Sequence, residues 1–330
     1  MKHFIFIVFV LVLLVAEETS NWGPQAATNS FAVEYSKNWV DINYAGDTTR
    51  SHMMDIYLPA EKKISYPVVV LIYGSAWFSN DLKGNDMETI GSILLKNGFA
   101  VVTPNHRSTL EAKYPAQIHD IKAAIRFIKA NASLYQLDTC FIGVTGTSSG
   151  GHLAALAGTT GSIKNFTVNA TTMDIEGEVG NFTNYSSAVN AVVDWFGPTD
   201  FQMLDVCGST IIHNSANSPE SRLIGGPIQK NFDKCALANP VTFIDKQDPP
   251  FLIFHGDGDL LVPYCQSEIL HTALQKAHVS SEFVLIRNGK HGRGVMKEAY
   301  YKMMADFLLN QSHHRDPEFY QEILTTGGKQ

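Results

Sequence analysis

One pentapeptide restricts the folding of this chain more than any other feature. Gly146-Thr147-Ser148-Ser149-Gly150 follows an apolar run, Cys140–Val144, and precedes a small-residue stretch, Gly151–Ala157. The run reads as a strand and the stretch as a helix that can pack closely on a sheet. A turn this tight between strand and helix strains its central residue, so the residues two places either side must be small. Gly146 and Gly150 meet that need and single out Ser148, not Ser149, as the exposed apex. The helix start behind Ser148 adds a dipole that favours developing negative charge. The pattern occurs once in the chain. An ordinary small-residue turn is the alternative reading; the flanking strand and helix favour a nucleophile.

The rest of the chain repeats the same alternation. Met53–Leu58, Pro67–Ile72, Ala100–Thr103, Ala188–Trp195, Pro250–Phe254 and Phe283–Ile286 read as further strands. Several are unbroken apolar runs, as expected of strands buried on both faces. Ile90–Asn97, stopped by Gly98, and Lys297–Leu309 read as helices. So does Gln117–Lys129, with apolar residues at 118, 121, 124, 125 and 128, the stripe of an amphipathic helix. Strands alternating with helices predict a mainly parallel sheet covered on both faces. Two stretches break the rhythm, 160–187 and 201–247, and are expected as insertions, the second a cap or long loops over the sheet's C-terminal edge. Ligands of such sheets bind at that edge.

A serine hydroxyl needs a base. His291, in the loop between the last strand and the closing helix, is the candidate among 12 histidines. A third group must orient the imidazole. Asp259, in the loop after Pro250–Phe254, is preferred, with Asp257 as its rival; His255 is read as a structural residue at the strand end. The order Ser, Asp, His along the chain is the one an α/β-hydrolase fold uses. Acyl transfer also needs donors for an oxyanion. The N–H of Ser149 is one; Ser75 and Ala76, in the loop after Pro67–Ile72, are expected to supply the others. Trp77, Phe78, Trp195 and Phe196 are candidates for an acyl pocket or for core.

The 330 residues are 45% hydrophobic and 17% charged, a globular composition. Lys and Arg number 25 against 32 Asp and Glu, a formal charge of −7 with no basic stripe, so nucleic acid is not expected as a partner. Lys2 and His3 precede the apolar run Phe4–Val15, which is shorter than an ordinary membrane span. Residues 1–18 are therefore expected to be a signal peptide and the protein secreted or periplasmic, with an uncleaved anchor, the only expected membrane contact, as the alternative. A single domain is expected over 30–312 and a loose tail over 313–330. Six Asn-x-Ser/Thr sequons begin at Asn131, Asn165, Asn169, Asn181, Asn184 and Asn310, and matter if the host glycosylates exported proteins. Cys140, Cys207, Cys235 and Cys265 lack metal-ligand spacing. Cys207 with Cys235 is the favoured disulfide; four small buried residues is the alternative.

These residues resemble a known group. Tyr73–Phe78 (YGSAWF), Tyr114–Asp120 (YPAQIHD), Gly146–Leu153 (GTSSGGHL), Val193–Asp200 (VDWFGPTD), Ser218–Gly226 (SPESRLIGG) and His255–Asp259 (HGDGD) are similar to blocks of the bifunctional feruloyl and acetyl-xylan esterases, close to the hormone-sensitive-lipase-like esterases. The resemblance runs from about residue 35 to 310. It implies an α/β-hydrolase fold with Ser148, Asp259 and His291 as triad, no metal or cofactor, and acyl esters of plant polysaccharide as substrates. Tyr73 and Ser75 depart from the common His-Gly-Gly-Gly oxyanion loop. A peptidase or amidase of the same fold, and a non-catalytic binding module, are the competing readings; such modules usually lose a triad member.

Overall fold

A computed structural model of the chain describes residues 33–313. The expected leader and all but the first residue of the expected tail lie outside the described residues. The central sheet is built from β1 (Lys37–Asn43), β2 (Met53–Leu58), β3 (Tyr66–Ile72), β4 (Ala100–Pro104), β5 (Leu137–Thr147), β8 (Ala191–Trp195), β9 (Phe251–Gly256) and β10 (Ser281–Ile286). Their order is β1-β2-β4-β3-β5-β8-β9-β10. From β4 to β10 every pairing is parallel; β2 runs antiparallel to both β1 and β4. A separate hairpin joins β6 (Asn165–Val168) to β7 (Thr171–Asp174).

The unbroken apolar runs have a direct cause. In β3, Val68, Val70 and Ile72 enter one core while Val69 and Leu71 enter the other. Both faces are dry because helices cover both. Helix α1 (Ser92–Lys96) and α7 (Glu298–His313) put Leu94, Leu95, Tyr301, Met304 and Leu308 into one layer. On the opposite face lie α2 (Ala116–Ala130), α3 (Ser149–Thr159) and α6 (Cys265–Lys276), contributing among others Ile121, Ile125, Leu153 and Leu270. This is the α/β-hydrolase fold.

The 201–247 segment contains two short helices, α4 (Pro219–Ile224) and α5 (Phe232–Leu237), with single 3-10 turns between longer loops. It borders the sheet's C-terminal edge, because Ile211, His213, Pro219 and Glu220 line a pocket there together with Ser148. The 160–187 segment lies to the side. Its Glu176 bridges to buried Lys122 (2.8 Å) and Arg126 of α2, and Asp233 of α5 accepts hydrogen bonds from Asn169 and Thr171.

The disulfide differs from expectation. Cys207 bonds Cys265, at the start of α6, and Cys235 is a buried thiol. Proximity in sequence favoured Cys235, but that residue packs into the core on α5, facing the Ile228 carbonyl. The Cys207 loop instead folds over the edge onto the β9–α6 connection, where Thr210 N–H and Ser209 Oγ donate to the Leu260 carbonyl.

Candidate active site

Ser148 stands between β5 and α3 with φ 53° and ψ −120°, the strained geometry expected of the turn. Its N–H donates to the Trp195 carbonyl at the end of β8. The flanking glycines are required by contact. A Cβ on Gly146 would lie 2.4 Å from the Gly150 carbonyl group, and one on Gly150 would lie 2.2 Å from the Ile72 carbonyl oxygen. Both distances fall well inside van der Waals contact, so the elbow nests against β3 only without side chains.

Two later strand-end loops converge on this serine. His291 Nε2 lies 2.9 Å from Ser148 Oγ, and His291 Nδ1 lies 2.7 Å from Asp259 Oδ2. A carboxylate only accepts, so Nδ1 carries the hydrogen and Nε2 is left to accept from the serine hydroxyl. The edge of the Phe196 ring packs against the imidazole, with centroids 4.8 Å apart.

Asp259 is buried in the turn after β9, where its Oδ1 accepts from the N–H groups of Leu261 (2.9 Å) and Val262 (3.0 Å). Burial opposes its charge, but hydrogen bonds from His255 and His291 outweigh that and hold the carboxyl well below the ordinary range. His255 has the structural position expected of it. Its Nε2 donates to the Val262 carbonyl, 2.7 Å away, and stands 3.4 Å from Asp259, while Ser267 Oγ lies 2.7 Å from its Nδ1. Asp257 faces solvent and accepts from Asn288 N–H at 2.6 Å, a turn role rather than a contact with the imidazole.

The loop after β3 changes one expectation. Ser75 N–H donates to Ser149 Oγ at 2.8 Å, so it is already engaged and points away from an incoming oxyanion. The next two backbone N–H groups, of Ala76 and Trp77, make no hydrogen bond among the described residues. Both residues have positive φ, 50° and 60°. Such a conformation costs about 1–2 kcal/mol per non-glycine residue, so two in sequence imply a loop held by its surroundings. Tyr73 supplies part of that hold: its ring stacks on His106 and its hydroxyl donates to the Ser79 carbonyl. Gly74 lets the loop approach the nucleophile, since a Cβ there would lie 2.5 Å from the Thr147 carbonyl oxygen. Ser149 is the first residue of α3, and its N–H has no intrahelical acceptor by position.

A small pocket, open to solvent at its mouth, lies beside Ser148. Ala76, Trp77, Pro198, Ile211, Leu261 and Val262 supply its apolar wall. Of the four aromatic candidates, Trp77 lines this pocket and Phe196 braces His291. Trp195 is core, stacked on Phe254 with its indole N–H on Thr145, and Phe78 lies under the Arg222 guanidinium. Sequence reading missed His213 and Glu220, which also line the pocket. The Ser218–Gly226 block flagged the neighbourhood but not the direction of its side chains.

A serine at a strand-to-helix elbow, facing a histidine and an aspartate on later loops of a mostly parallel sheet, places this chain among the α/β-hydrolase-fold proteins with a Ser–His–Asp arrangement. Within that class it belongs to the BD-FAE family, whose model matches residues 54–274. It is similar in structure to a truncated form of a carbohydrate esterase from gut microbiota: 46% identity, TM-score 0.82, 86% of this chain and 99% of that one. It is also similar to the bifunctional GH43-CE of Bacteroides eggerthii: 51% identity, TM-score 0.80, 83% of this chain and 35% of that one. Among curated proteins, the probable carboxylic ester hydrolase LipM of Mycobacterium tuberculosis is 30% identical over 229 residues, 69% of this chain. The match spans 49% of LipM, so the chain corresponds to about half of that relative.

Proposed function

We propose that this chain is a secreted serine carboxylic-ester hydrolase that removes short acyl groups, acetyl foremost, from plant polysaccharide or its fragments. The observation that carries the reading is the continuous line Asp259–His291–Ser148, with separations of 2.7 and 2.9 Å, beside two strained N–H donors. Support for the carbohydrate side comes from the carbohydrate esterase similarity, and for acetyl over the bulkier feruloyl group from the small pocket.

In this mechanism His291 Nε2 takes the Ser148 proton as Oγ bonds to the ester carbonyl carbon. The carbonyl π pair moves onto oxygen, where the N–H groups of Ser149, Ala76 and Trp77 hold it. Collapse breaks the bond to the alcohol oxygen, which leaves with the proton from His291. Water then gives a proton to His291 and adds to the acyl carbon. The second collapse releases the acid and returns the proton to Ser148. Asp259 stays ionised throughout and stabilises the imidazolium.

A fluorophosphonate probe tests the nucleophile: it should label the folded protein at Ser148 and fail on Ser148→Ala. Absence of labelling, or labelling that survives the substitution, would return the chain to a binding role. Faster cleavage of an aminoacyl nitroanilide than of 4-nitrophenyl acetate would favour a peptidase. A panel of acetylated xylan and methyl ferulate then ranks the acyl groups. N-terminal sequencing of protein collected outside the host cell checks export; retention of the whole chain inside would refute it.

A further inference from the structure

Two charged side chains sit in the wall of the pocket that holds Ser148, where the hydrolytic mechanism has no use for them. His213 is 1% exposed and Glu220 is 3% exposed, and His213 Nδ1 lies 2.9 Å from Glu220 Oε2. His213 Nε2 lies 3.1 Å from the Leu261 carbonyl and 2.9 Å from Ser209 Oγ. The Nδ1–Oε2 contact is within ion-pair distance, but neither atom makes a directional hydrogen bond among the described residues. The glutamate is aimed by its own segment. Pro219 starts α4 under a Ser218 cap that accepts from Ser221 N–H, and Glu220 follows directly.

Burying an ion pair is expensive, and an apolar pair of similar volume would tie the same segments together as well or better. Neither carboxylate oxygen of Glu220 makes a hydrogen bond among the described residues; Oε2 is sealed from solvent and Oε1 is not. A carboxylate oxygen fixed at the wall of an otherwise apolar pocket is an acceptor for a hydroxyl donor on whatever enters. A simple alkyl ester offers no such donor. An ester of a polyol offers one on the carbon next to the acylated position.

We propose that Glu220, seated by His213, binds a free hydroxyl of the substrate's alcohol part, and so selects acyl esters of sugars over esters of simple alcohols. This rests on the ester hydrolase reading. A hydrogen bond to a charged acceptor is worth about tenfold to a hundredfold in binding or rate. The site discriminates best when loss of the donor strands a buried acceptor, because that acceptor then has no water to replace it.

The test is a cycle on substrate and protein together. The substrates are mono-O-acetyl methyl β-xylosides with the neighbouring hydroxyls either free or methylated; the proteins are the full chain, Glu220→Gln and Glu220→Asp. The full chain should prefer the free hydroxyl by about tenfold to a hundredfold in kcat/KM, and Glu220→Gln should bring that ratio to within about threefold of unity. Glu220→Asp, which keeps the charge on a shorter arm, should fall between. Because the readout is a ratio within each protein, a general loss of activity or stability does not imitate it. Equal rates on the two xylosides in the full chain overturn the inference even if no variant folds. So does a preference that survives Glu220→Gln. Failure of the underlying reading looks different: the full chain would then turn over neither xyloside and leave 4-nitrophenyl acetate intact.

Discussion

Ser149 Oγ accepts the backbone N–H of Ser75 at 2.8 Å, so the residue after the nucleophile fastens the loop that carries the proposed oxyanion donors. The bond links positions 74 residues apart and fixes the direction of two strained peptides, those of Ala76 and Trp77.

Ser149→Ala removes that acceptor and leaves the Ser75 N–H without a partner in a partly buried site. The expected stability loss is about 1–3 kcal/mol. The rate should suffer separately, because donors aimed about an ångström wide lose much of their value; a fall in kcat of roughly tenfold is expected. Ser149→Thr keeps the hydroxyl and should recover most of it. Steady-state kinetics with 4-nitrophenyl acetate decide this, and an Ala variant with wild-type kcat would show that the loop holds itself.

Asp259→Asn keeps an acceptor for the Leu261 and Val262 N–H groups but presents an NH₂ to His291. The imidazole would then carry its hydrogen on Nε2, facing Ser148, and no longer accept the serine proton. A drop in kcat of about 10³–10⁴ is expected with the fold intact. The acid in the native protein also contributes to stability. Its folded pKa lies below the ordinary 3.8, so the contribution is full above that value and is lost as pH falls through the folded pKa. Urea titrations of both proteins should therefore converge on acidification.

Asp194 behaves in the opposite sense. Its Oδ1 accepts from Gly197 N–H, Oδ2 has no partner, and burial pushes the carboxyl up to about 6 despite the Gly197 bond and nearby His255. A raised acid is most favourable to folding below the unfolded value of 3.8, and that advantage disappears as pH rises through about 6. Stability should decline across that window by at most roughly 3 kcal/mol, and Asp194→Asn should flatten the profile. Denaturation curves collected from pH 4 to 8 measure it; an unchanged slope in the variant would assign the decline to another group.

The Cys207–Cys265 bond closes 58 residues of chain. Tying off a loop of that length removes denatured-state entropy equivalent to about 4 kcal/mol, an upper expectation. Reduction, or Cys207→Ser, should lower Tm, and peptide mapping of the unreduced protein should recover Cys207 joined to Cys265. A Cys207–Cys235 fragment would contradict the fold of the 201–247 segment.

Much of this molecule is legible in the sequence. The apolar runs around residues 68–72 and 251–254 announced strands buried on both faces, since period-two side chains must all be apolar when both faces are dry. Helix α6 and strand β1 were not legible, because their buried faces are too polar or too narrow to raise a pattern: α6 buries Gln266 and Ser267 beside Leu270 and Leu274. The positions of Ser148, Asp259 and His291 followed from turn chemistry and chain order, both local properties of sequence.

What tertiary structure alone decided is everything that depends on a partner far along the chain. Asp259 rather than Asp257 meets the imidazole because the loop carrying His291, 32 residues further along, arrives over that side of the turn. The Ser75 N–H is engaged because Ser149 lies across the elbow, which passes the donor role to Ala76 and Trp77. Cys207 meets Cys265 because its segment folds over the sheet edge. Glu220 faces the same pocket as Ser148 because the 201–247 segment folds over the sheet edge, against Leu261 and Val262. Sequence determines which residues are apolar, small or reactive. Which of their atoms face each other is set by long-range packing, where shifts of an ångström separate a hydrogen bond from none.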